Sequence, residues 1–102
     1  MNKKLIGFLL LAFSIQTIAL DCNPEKVVLI QVQQDNILVK LENQNWHLLG
    51  LHSSPATKEM YSAVLAAQMA GKRVSMRFPG GYDCSAYEVL TAPSMVRVWA
   101  ND

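Results

Sequence analysis

Hydrophobic and polar positions change rhythm along this chain, and each rhythm predicts an element. Val27–Gln33, "VVLIQVQ", is β-branched and then alternates, which predicts a strand. Gln34, Asp35 and Asn36 make a polar turn, and Ile37–Leu41, "ILVKL", reads as the hairpin partner. After a second turn, "ENQN", Trp46–Leu51, "WHLLGL", reads as a third strand. The period then changes. Met60, Tyr61, Val64, Leu65 and Met69 recur at spacings of three and four, the apolar stripe of a helix. Ser54 is placed to cap that helix with Pro55 in its first turn, and Gly71 to stop it. In Arg73–Phe78 the alternation returns, with Val74, Met76 and Phe78 on one side and Arg73, Ser75 and Arg77 on the other. "PGGYD" is a loop, Tyr87–Leu90 a short extended piece, and Ser94–Trp99 the closing strand.

The expected order is β-β-β-α-β-β: a mostly β chain with one helix. Three meandering strands, a helix and two more strands is the connectivity of the OB-fold, a small, partly open five-stranded barrel. A helix packed on an open antiparallel sheet is the alternative.

The residues before the first strand change the compartment. Met1–Lys4 are basic, Leu5–Phe13 apolar, and Thr17 and Ala19 are small at three and one before a cut after Ala19. That is the pattern of a secretory signal peptide, residues 1–19, too short to span a bilayer. A single domain, residues 20–102, follows, secreted or periplasmic. Asp21 and Ala19 fit a lipid-attachment site at Cys22 badly. Cys22 and Cys84 are the only cysteines, and in an oxidising compartment the expectation is a disulfide between them. Metal and cofactor sites are not expected, since two thiols so far apart lack further ligands. The net charge of +1 includes Lys3 and Lys4. Without them the balance turns slightly acidic, against a nucleic-acid partner.

No catalytic motif stands out. "GxSxG" is absent, the carboxylates Asp35, Glu42, Glu59 and Glu88 show no paired spacing, and the expectation is a non-enzymatic protein. His47 and His52 fall on opposite faces of the third strand unless His52 has entered the loop, and read as edge or surface histidines. Arg73, Arg77 and Arg97 form a candidate basic stripe for an anionic group such as a sialic acid carboxylate or an acidic partner chain. Trp46, Trp99, Tyr82 and Tyr87 offer aromatic faces for sugar rings, with Tyr82 expected to be exposed in its Gly-Gly turn. Ala63, Ala66, Ala67 and Ala70 leave the helix flanks small, either for helix propensity or for contact with copies in a ring.

The segment "KEMYSAVLAAQMAGKRVSMRF", with the leader, the cysteine pair and the element order, resembles the B subunits of AB5 bacterial toxins. Within that family it is most similar to the subtilase cytotoxin type. It is also similar to small secreted bacterial proteins with a "MYS…AA…GK" helix end. The resemblance implies an OB-fold, a homopentamer with helices around a central pore, recognition of cell-surface glycan or protein, and a toxin A-like enzymatic partner. The chain beyond the signal peptide is shorter than that B subunit, and no glycan-contacting residue carries over. A monomeric periplasmic protein of structural or inhibitory kind is the alternative.

Overall fold

A computed structural model describes residues 18–100. Most of the expected signal peptide lies outside the described residues, and the cut expected after Ala19 falls immediately before the first strand. The elements are β1 (Leu20–Asp21), β2 (Glu25–Val32), β3 (Asn36–Leu41), β4 (Trp46–Leu51), α1 (Thr57–Ala70), β5 (Arg73–Phe78) and β6 (Met95–Val98).

The expected β-β-β-α-β-β order is present, with β1 and β2 as two segments of one interrupted strand. β5 pairs antiparallel with β1 at Leu20↔Phe78 and Asp21↔Arg77, and with β2 at Glu25↔Val74 and Lys26↔Arg73. At the break between them, the Cys22 amide donates to the Met76 carbonyl at 3.0 Å. β2, β3 and β4 form an antiparallel meander, and β6 lines the other side of β5. A parallel bridge between His47 and Glu88 joins β4 to the segment that leads into β6. That bridge ties the β4 edge to the long loop, while among the described residues β4 and β6 do not pair with each other, so the sheet stays partly open.

Alternation supplies the core. Val39 and Leu41 of β3, Leu49 of β4, and Val74, Met76 and Phe78 of β5 meet Val64 and Ala67 of the helix, and all are buried. The helical stripe is centred on Val64, flanked by Met60, Tyr61 and Ala67. Met69, expected on this stripe, is 81% exposed. At 3.6 residues per turn it lies about 140° around the axis from Val64, so it points away from the barrel.

The helix also begins later than Ser54 and Pro55 suggest. Its N-cap is Ala56, with no side-chain cap, and residues 54–57 form a turn in which the Thr57 amide donates to the Ser54 carbonyl. Thr57 is buried, and its hydroxyl donates to the Leu51 carbonyl at 2.7 Å, tying the helix start to the end of β4. Gly50 makes this approach possible, because a Cβ there would overlap the Thr57 hydroxyl. The far end follows expectation: Gly71 is left-handed at φ 70°, and the Lys72 amide donates to the Ala67 carbonyl at 2.9 Å.

Cys22 and Cys84 form a disulfide across 62 positions. It pins the long loop, residues 79–94, to the break between β1 and β2. The Cys22 sulfur is therefore committed to the bridge. Two carboxylates organise the loop from within. Asp83 accepts from the amide and hydroxyl of Ser85, and Glu88 from the amides of Leu90 and Thr91 and the Thr91 hydroxyl. These donors hold both carboxyls below the usual carboxylate range, chiefly through the side chains of Ser85 and Thr91.

Candidate functional site

Strand alternation sends Arg73, Ser75 and Arg77 to the outer face of β5, and Met95, Arg97 and Trp99 to that of β6. The pairing register then sets them side by side. Arg77 faces Met95 and Ser75 faces Arg97, while the Trp99 amide donates to the Arg73 carbonyl at 2.9 Å just past the strand end. On the other flank, Lys26 stands beside Arg73 and Asp21 beside Arg77. The three arginines expected as a basic stripe are brought together on one face.

They are not equivalent. Arg77 is neutralised locally: its Nε and Nη2 donate to the two Asp21 carboxylate oxygens at 2.7 and 3.2 Å. This pairing holds the Asp21 carboxyl below the usual carboxylate range and raises Arg77 further, with Arg97 adding a smaller field at Asp21. Arg73 and Arg97 have no ion pair among the described residues. The Arg73 Nε is buried without a hydrogen-bond partner. Trp99 completes the face. Its indole N–H donates to the Ser75 hydroxyl at 3.1 Å, fixing the ring over Ser75, which is itself buried. Trp99 remains 37% exposed. An oriented indole beside two unpaired guanidinium groups suits a ligand with both an apolar ring face and an anionic group.

Comparison with protein-family models, curated proteins and solved structures finds no match.

Other expected contacts lie elsewhere. Trp46 is half-buried on β4, and Tyr87 is exposed on the long loop. Tyr82, expected to be exposed, is turned inward. Its ring stacks on Phe78 with centroids 3.7 Å apart and planes within 5°. The expectation failed because the Gly-Gly turn and the disulfide fold the loop back over the barrel end, where an aromatic ring covers Phe78.

His47 also corrects its reading as an edge or surface residue: it is completely buried. Its neighbour Gln44 donates to the Asn23 carbonyl through its amide nitrogen, leaving Oε1 to accept from His47 Nε2–H at 2.7 Å. Nδ1 then accepts from the Tyr82 hydroxyl at 2.6 Å, and that oxygen lies 3.2 Å from the Glu88 carbonyl. Burial pushes the His47 pKa down to about 4, with the Lys40 charge acting in the same direction and Glu88 opposing. Burial likewise pushes the Tyr82 phenol up, so it stays protonated. A neutral imidazole with both nitrogens bonded is a structural tie between β4 and the long loop. His52 has left the strand for the following turn and donates to the Gln33 carbonyl at 2.7 Å. Among the described residues no group of three His, Cys, Asp or Glu side chains is placed to hold a metal ion.

The alanines divide. Ala67 belongs to the core, 2% exposed, so it is not a contact for another copy. Ala66 and Ala70 are exposed and Ala63 half-buried. Ala67 faces inward because it lies one turn from Val64. Its small side chain lets the helix sit close to the sheet. Ala67→Glu is therefore expected to unfold the domain by burying a charge, whereas Ala66→Glu should leave the domain folded. Thermal melts of the two variants check the assignment.

Proposed function

We propose that the chain is a secreted, non-catalytic binding module that recognises an anionic glycan through the outer face of β5 and β6. The observation that carries the reading is the Trp99 indole, held by Ser75 beside the unpaired Arg73 and Arg97. A sugar ring would lie against the indole, and its carboxylate would take up charge-assisted hydrogen bonds from Arg97 and Arg73. Arg77, already engaged with Asp21, serves as framework. The disulfide accords with an oxidising compartment. Among the described residues no helix is long and apolar enough to cross a membrane.

A glycan array followed by calorimetric titration tests this reading. Sialylated or uronic-acid-bearing oligosaccharides should bind, and neutral parents of the same length should not. Trp99→Ala and Arg97→Ala should each weaken binding about tenfold, equivalent to about 1.4 kcal/mol. Arg97→Ala should also remove most of the salt dependence. Equal binding of neutral and acidic oligosaccharides would overturn the reading.

Assembly as a homopentameric ring with a toxin A-like partner belongs to the same proposal. Its contacts narrow to Ala63, Ala66 and Ala70, joined by the exposed Met69. Mass measurement in solution tests it: Ala66→Glu should convert an oligomer to a folded monomer. A parent protein that is already a monomer favours the alternative, a monomeric periplasmic module.

A further inference from the structure

At the other end of β2 from the arginine face, a groove opens between the β2–β3 hairpin and the start of α1. Val32 and Ile37, paired across the hairpin, form its apolar floor with the ring of Tyr61. Thr57, Lys58 and His52 complete the lining, and the cavity holds about 340 Å³. That volume is within the range of small-ligand sites and far short of what a folded partner requires.

The polar groups of the lining sort into used and unused. The Thr57 hydroxyl is committed to the Leu51 carbonyl, and His52 Nε2 to the Gln33 carbonyl. The Lys58 ammonium and the Tyr61 hydroxyl make no hydrogen bond or ion pair among the described residues. No carboxylate lines the groove, so its charged lining is cationic. Val32 is 57% exposed here, an apolar side chain in open water at a hairpin end. The arrangement is an apolar floor with a cation and a hydroxyl at the rim.

We propose that this groove binds a small amphiphilic carboxylate. The apolar body rests on Val32, Ile37 and the Tyr61 ring, and the carboxylate accepts from Lys58 Nζ and the Tyr61 hydroxyl. Val32 lies six positions along β2 from Lys26, roughly 20 Å at the rise of a strand, so the groove is well separated from the arginine face.

Octanoate is a suitable probe, with octanol as its neutral counterpart, added to the disulfide-bonded protein below micellar concentrations. Amide chemical shifts should move saturably at Val32, Ile37, Lys58 and Tyr61, and octanoate should bind at least tenfold tighter than octanol. Lys58→Met should abolish that preference while leaving octanol binding unchanged. Val32→Asp should remove binding of both. Both positions are exposed, so thermal melts of these variants should match the parent. Equal affinity for octanoate and octanol in the parent, an unchanged preference in Lys58→Met, or shifts spread over other surfaces would each overturn the proposal. Because the probe carries no sugar, failure here leaves the glycan reading untouched.

Discussion

Replacing Cys22 and Cys84 together by serine is expected to remove about 4 kcal/mol of stability. The bridge spans 62 positions, and in the chain-entropy model opening a loop of that length releases the unfolded chain by about this amount. Small domains have about 5–15 kcal/mol in total, so the loss takes a large share of the margin. The local consequence is equally specific. The bridge holds residues 79–94 against the barrel, and these carry Tyr82, which covers Phe78 and bonds His47. Without it the loop gains freedom, and His47 is exposed to the loss of its Nδ1 partner. Urea unfolding of the double-serine variant should show a midpoint far below that of the oxidised parent. Tyr82 should also become accessible, detectable as a change in near-ultraviolet circular dichroism. A variant within 1 kcal/mol of the parent would show that the loop is held by its own hydrogen bonds and by the Tyr82 stack.

Acidification should weaken the fold through His47. In the unfolded chain an imidazole titrates near 6.5, whereas in the native state burial holds this one to about 4. Between those values the unfolded state binds the proton and the native state resists it. Stability is therefore complete above about pH 6.5 and falls as pH drops toward 4. At 1.36 kcal/mol per unit, the loss amounts to about 2 kcal/mol at pH 5 and about 3 kcal/mol at pH 4. The lowered carboxyls of Asp21, Asp83 and Glu88 act in the same direction at lower pH, since each must give up its hydrogen bonds when protonated. Urea midpoints measured from pH 7.5 to 4.5 should trace this decline. Proton NMR should find His47 titrating near 4. His47→Gln retains hydrogen-bonding groups but does not titrate, so its stability should change much less over the same range. A parallel decline in that variant would exclude His47 as the cause.

Much of the architecture was legible in the residues themselves. β-Branched alternation marked β2, β3 and β5, the three- and four-residue spacing marked α1, and Gly71 marked its end, because these signals are local and repeat along the chain. The cysteine pairing was legible too, since two cysteines allow one intramolecular partner choice. The helix start was misplaced because Ser54 and Pro55 are sound local signals overridden by a tertiary one, the Thr57 hydroxyl reaching Leu51 past Gly50. Tyr82, His47 and Ala67 were misjudged for a related reason. Exposure is set by what lies opposite, and for these residues it lies 35 positions away across the barrel in one case and on another element in the others.

The candidate sites divide in the same way. Alternation alone put Arg73, Arg77 and Arg97 on outer faces. Only the register of β5 against β6 set Arg97 beside Ser75, and only the position of Asp21 separated the engaged Arg77 from Arg73 and Arg97. The groove at Val32 had no signature in sequence, because its floor, rim and cation come from the hairpin, the turn after β4 and the helix start. The sequence by itself determined the elements, their order and the disulfide, since periodicity and residue chemistry are properties of neighbours along the chain. Tertiary structure alone decided which polar groups have partners, because partnership depends on distances that no local pattern contains.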